Sequence, residues 1–256
     1  VLSAPTTDAM VPEDTFLWFG VNSSQNLSDF MNEDSPLYTA DAKEAFDLLK
    51  KEYNIDIPGL FSTFGGEFSM AVGPASDGLM TESGGVNMGL TIIAGITDEK
   101  GFNAWFDDLV DVASTQMGTE LNVEKVTIGS YDLQEVSVET GAPAPSTVLL
   151  YGASNGYGFL SSSHDMLANG LDAEKTLAAN ETYIETWKAF PSGSIPYMYL
   201  DMGGLMDVIV QSGGSSSEVQ TKLEKIPVIA LTFNRPSTYV QNATMIAFME
   251  TKLKSK

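Results

Sequence analysis

The chain has one histidine, His164, within the run Ser161-Ser162-Ser163-His164-Asp165. That run holds every residue type of a Ser–His–Asp hydrolase. In such an enzyme the imidazole takes the serine proton while a carboxylate orients the ring, so the three groups must converge in space. No Gly-x-Ser-x-Gly elbow accompanies the run. The same residues read well as the N-cap of a helix, and that reading is preferred. A second set, Asp107, Asp108 and Asp111, falls in one helical segment, with Asp107 and Asp111 on one face. Paired carboxylates do acid–base work across a cleft, so two along one helix stripe read as solvated.

Other patterns carry less. Asn32-Glu33-Asp34-Ser35 is an acidic knot suited to a weak divalent-cation site, without the spacing of an EF-hand loop. Gly84-Gly85 and Gly203-Gly204 are isolated pairs with no phosphate-loop motif. Gly65-Gly66 permits a bend before a strand, and Glu67 reads as solvated or bonded to backbone amides. The sequons at Asn22, Asn26, Asn180 and Asn242 permit N-glycosylation. No catalytic or cofactor-binding residue is assigned, and no cofactor is expected.

Charge narrows the partners. The net charge is −21, from 34 acidic and 13 basic residues, with Arg235 the sole arginine. Phosphate backbones are gripped by clustered lysine and arginine, so nucleic acid is excluded as a partner. The same field repels anionic lipid surfaces. With no cysteine, disulfides, thiol catalysis and thiolate metal sites are excluded. The longest strongly apolar stretch, Val86 to Ile96, is far short of the ~20 residues of a membrane helix. No direct membrane insertion by this segment is expected. The start at Val1, running through Leu2-Ser3-Ala4-Pro5-Thr6-Thr7, reads as the trimmed end of an exported protein.

The elements that must position these residues follow from periodicity. Phe16 to Gly20 is apolar on both faces, as in an interior strand. Asp41 to Tyr53 and a segment capped by Thr97 and running to about Ser114 read as amphipathic helices. Trp105 and Trp187 fall on apolar helical faces and are assigned to the core. Turns at Gly129-Ser130 and Asn155-Gly156 predict two hairpins. Helices are expected over His164 to Leu171 and Leu177 to Phe190.

One theme is stated twice. Pro12-Glu13-Asp14-Thr15 leads into the strand Phe16 to Val21, and Pro191-Ser192-Gly193 leads into Tyr197 to Asp201, each followed by a helical segment. Together with Phe64-Gly65-Gly66-Glu67-Phe68-Ser69-Met70-Ala71-Val72 and Thr176-Leu177-Ala178-Ala179-Asn180, these blocks resemble a bacterial domain-of-unknown-function family numbered 3352. The resemblance spans roughly Pro12 to Phe248. It implies an exported or membrane-tethered protein and attaches no activity or catalytic residue.

The expected fold is α+β: internally duplicated strand-helix-strand-strand units, largely antiparallel, with helices packed on one face. A flexible segment over residues 1–11, units over 12–140 and 147–250 forming two domains or one, and a tail over 251–256 complete the plan. The expected function is a non-catalytic extracellular or cell-surface protein with a structural or interaction role, self-associating into a surface assembly. A small-ligand or lipid-binding protein is the alternative, recognisable by an apolar cavity of ~300 Å3 or more. A hydrolase using His164 is the second alternative.

Overall fold

Strand β2 (Leu17–Ser23) sets the plan of the molecule in the computed structural model, which describes residues 2–24, 39–77, 85–138, 146–172, 174–213, 228–237 and 240–248. Its residues alternate between two apolar sides, so each side needs its own cover. On one side β2 pairs with β3 (Phe64–Pro74), which pairs with β4 (Met88–Ile96). On the other it meets β9 (Ile195–Asp201) and, further along, β1 (Leu2–Ser3). Beyond β9 come β10 (Val228–Ser237) and β11 (Val240–Phe248). Beyond β4 come β8 (Tyr157–Ser161), β7 (Ser146–Ser154), β6 (Tyr131–Val138) and β5 (Asn122–Ile128). The result is one eleven-stranded sheet in which each pairing is antiparallel. The α+β class is therefore established.

The two predicted hairpins form. Asn155 and Gly156 both take positive φ, 55° and 82°, between paired Ser154 and Tyr157, as a type I′ turn requires. β6 pairs with β7 although residues 139–145 separate them, so the sheet crosses the boundary expected there. The two echoed strands pair with each other at the middle of the sheet, Trp18 opposite Tyr199. Each leads through helix to a two-strand meander, β3–β4 on one side and β10–β11 on the other. Strands β5 to β8 extend only the first of these.

Six helices are described: α1 (Ala40–Tyr53), α2 (Ile57–Thr63), α3 (Glu99–Met117), α4 (His164–Gly170), α5 (Glu181–Lys188) and α6 (Met202–Gln211). They cover both faces of the sheet, which corrects the expectation of one. Leu150 and Phe159 face a core shared with Met166 and Leu167 of α4, whereas Tyr151 faces Phe102 and Phe106 of α3. The reason is visible in the strands themselves, which are apolar on both sides.

The segment over residues 1–11 is also corrected from flexible to packed. β1 pairs with β2, a 3-10 turn covers Thr7–Met10, and Val11 is fully buried in the core. The Val11 carbonyl accepts the Leu177 N–H at 2.9 Å. Glu67 anchors this segment, its carboxylate accepting the backbone N–H groups of Thr6 and Thr7 and the Thr6 hydroxyl. The sequence expectation that Glu67 bonds backbone amides is met here.

Smaller departures have local causes. Asp56 caps a further helix, α2, soon after α1 ends, accepting the Gly59 N–H at 3.0 Å. Asp98 rather than Thr97 caps α3, which runs on to Met117 and ends at Gly118 with φ 62°. Asn180 splits the helix expected over Leu177 to Phe190, ending a 3-10 turn (Leu177–Ala179) and capping α5.

Candidate functional site

Two cavities of similar volume occur among the described residues: a polar one lined in part by Glu99, Lys125 and Asp132, and an apolar one on the face of α2 and α3. Leu17, Phe19 and Val21 leave β2 on this side, and Phe64, Phe68, Ile92, Ala94 and Leu160 stand beside them on β3, β4 and β8. Leu60 and Phe61 of α2 and Phe102 and Phe106 of α3 close over them. Between these groups is a cavity of about 510 Å3 that opens to the surface. Among the described residues, no hydroxyl, amide or charged side chain lines it.

Its walls are fixed by ordinary local devices. Helix α2 is held at both ends: the Trp105 Nε1–H donates to the Asp56 carbonyl at 2.8 Å, and the Thr97 hydroxyl donates to the Thr63 carbonyl at 3.0 Å. The Lys50 ammonium bonds the Asp56 carboxylate and holds it below the usual carboxylate range. One wall is a run of rings: Phe61 to Phe64 at 5.8 Å, Phe64 to Phe102 at 6.0 Å, and Phe102 to Phe106 at 4.8 Å. Gly158 lets α3 settle on β8, since a Cβ there would lie 2.8 Å from Ile96 and 3.0 Å from Phe102.

The residues nominated for hydrolysis do not converge. Ser161 and Thr91 share a buried hydroxyl contact at 2.8 Å, Ser162 accepts the Leu90 N–H at 2.9 Å, and Ser163 caps α4 through the Met166 N–H at 3.0 Å. The His164 ring meets Glu135, Nδ1 to Oε2 at 3.4 Å, in a half-exposed position. Asp165 accepts the Ser76 hydroxyl at 2.7 Å. The helix-cap reading of the run is the one the geometry realises.

The acidic helix resolves in the same way. Asp107 accepts the Tyr151 hydroxyl at 2.6 Å, and Asp108 accepts an Asn54 amide N–H at 3.4 Å. Burial first, and then the Asp107 bond, pushes the Tyr151 phenol well above its usual pKa. Among the described residues no group of three or more His, Asp or Glu is placed to hold a metal ion. Asn32-Glu33-Asp34-Ser35 lies outside the described residues.

Comparison with family models gives a match over residues 3–248 to the protein of unknown function DUF3352. The chain belongs to this family. Comparison with curated proteins and with solved structures gives no match. Membership in DUF3352 supplies no catalytic residue, so the site rests on its own geometry. Among the described residues, no helix of this DUF3352 chain is long and apolar enough to cross a membrane.

Two of the sequons serve the fold. Asn180 accepts the Tyr183 N–H at 3.0 Å and donates to the Glu13 carbonyl at 2.9 Å. The Asn22 amide reaches the Ala4 carbonyl at 3.4 Å and Glu67 at 3.5 Å. Asn242 stands in β11 opposite Asn234, and Asn26 lies outside the described residues. Of the three tryptophans, Trp18 is wholly buried, while Trp105 and Trp187 pack against the two cores as half-buried residues. Sequence reading did not assemble the cavity. Its available signal was the spacing of Phe61, Phe64 and Phe68 against Phe102 and Phe106.

Proposed function

We propose that this chain is a non-catalytic binding protein for an apolar small molecule, held in the cavity between α2, α3 and the sheet. The observation that carries the proposal is the cavity itself, about 510 Å3 and apolar throughout its side-chain lining. Ligand pockets commonly enclose about 300–1,000 Å3, and the ~300 Å3 threshold set for the lipid-binding alternative is passed. The engagement of Ser161, Ser162 and Ser163 in fold-holding bonds favours this reading over hydrolysis at His164. We also place the protein outside the cytoplasm, on what the resemblance to its family implies.

The paired echo of β2 and β9 further supports an internal duplication, with each copy a strand, a helical segment and a two-strand meander. A duplication requires the two units to superpose about the axis between those strands, and failure to superpose rules it out. Self-association, the other sequence reading, draws support only from the sheet edges β5 and β11.

The test of binding is saturation with phenylnaphthylamine, a dye that fluoresces in apolar surroundings. The native protein is expected to bind one dye per chain. Ala94→Leu, which places a larger side chain in the cavity, is expected to lose it while unfolding at nearly the same temperature. A native protein with no saturable signal, or an Ala94→Leu protein that binds equally well, rejects the proposal.

A further inference from the structure

We infer that the cavity selects hydrocarbon chains whose head group is uncharged or cationic and rejects the corresponding carboxylates and phosphates. This inference rests on the binding reading above and adds the class of ligand. Two independent observations carry it. The first is the lining, in which no side chain among the described residues offers a hydrogen-bond partner. A polar group buried there goes unpaired at a cost of several kcal/mol, so only the hydrocarbon part of a ligand enters and its head stays at the mouth.

The second is the charge of the walls. Six elements build the cavity: β2, β3, β4, β8, α2 and α3. Lys100 is their only basic residue, whereas Glu99, Asp107, Asp108 and Asp111 of α3 are acidic; Glu67 of β3 is turned away, towards Thr6 and Thr7. The nearby Lys50 is ion-paired with Asp56. The whole chain adds a net charge of −21. Among the described residues, the elements around the cavity therefore offer an anionic head no clustered cation, and the net negative charge of the chain repels it. A neutral head carries no such penalty, and a cationic head is attracted.

Volume sets the length of the tail. A methylene occupies about the space of a water molecule, ~30 Å3 in the liquid. The 510 Å3 available then suits a chain of about a dozen to sixteen carbons.

The experiment compares three ligands with one twelve-carbon tail: dodecanol, dodecanoate and dodecyltrimethylammonium. Each displaces phenylnaphthylamine from the full chain at neutral pH, below its aggregation concentration. Dodecanol and dodecyltrimethylammonium are expected to displace it, with dodecanoate weaker by about tenfold or more in low salt. Raising the salt from ~0.01 M to ~1 M shortens the screening length from about 30 Å to 3 Å, and the gap to dodecanoate is expected to narrow. Dodecanoate binding as tightly as dodecanol overturns the head-group selection and leaves the apolar cavity standing. A gap that salt does not change overturns the electrostatic cause. If none of the three displaces the dye, or Ala94→Leu binds them unchanged, the cavity reading falls with its selectivity.

Discussion

Trp18 and Phe19 adjoin in sequence and occupy opposite worlds in the fold. The row through Trp18 runs Leu150, Ser161, Thr91, Ala71, Trp18, Tyr199 and Ala230 across seven strands, and none of these residues is more than 1% exposed. The row through Phe19 runs Leu160, Ile92, Met70, Phe19, Met198 and Leu231, and all of these are half-buried. The rows differ in size pattern as well as in polarity, since buried hydroxyl residues, Ser161 and Thr91, stand in the first and none in the second. On the first face the small residues Ser161, Thr91 and Ala71 lie beside the adjacent rings of Trp18 and Tyr199, so layers can interdigitate at crystal-like density. The Trp18 ring lies over Gly20, where an added Cβ would be 2.3 Å from it. On the second face large side chains stand shoulder to shoulder, and the helices above them leave a void.

That contrast can be broken experimentally, beginning where the effect is largest. Trp18→Ala removes the central ring of the closed face and should cost about 3–5 kcal/mol in chemical denaturation. Phe19→Ala should cost less than half as much, because its site is already open. Equal losses at the two positions would mean that the faces are packed alike and the cavity is not a real weakness of packing. Glu67→Ala comes next: it strands the part-buried N–H of Thr7, at about 1–3 kcal/mol, and releases the exposed Thr6 N–H to water. Protease cleavage near residue 6 should accelerate in this variant while the cavity still binds dye. Unchanged cleavage would show that Glu67 does not hold the segment down.

The smallest effect sharpens the comparison through pH. Burial raises the Asp8 carboxyl above its ordinary pKa of 3.8, although the Tyr183 hydroxyl donates to it at 3.1 Å and works the other way. A raised folded-state pKa means that this group's stabilisation is complete below the unfolded value and is lost as pH rises through the folded one. Asp8→Asn should therefore match the native protein near pH ~3 and exceed it near pH ~7. Parallel stability profiles for the two proteins would show that Asp8 burial has no thermodynamic weight.

Much of the architecture was legible. The Asn155-Gly156 turn, the amphipathic stripes of α1 and α3 and the alternation around Trp18 each follow from short-range rules. The family resemblance also held. The site was less legible. The Ser161-to-Asp165 run drew attention because its residue types are reactive; the Ser163 cap on the Met166 N–H was legible locally, whereas the bonds of Ser161 and Ser162 to Thr91 and Leu90 have partners that a local reading cannot supply. Glu67 was nearer the mark, because a carboxylate beside two glycines suggests backbone bonding even without knowing whose backbone.

By itself, then, the order of residues determined the strands, most of the helices, the antiparallel class and the anionic exterior. These depend on neighbours within a few positions and on summed charge. Tertiary structure alone decided that β2 and β9 would pair, that helices would cover both faces, and that one face would close while the other kept a cavity. Those outcomes depend on which side chains from distant segments meet and whether their volumes fit, and volume complementarity across a sheet leaves no signature in a linear pattern of apolar and polar residues.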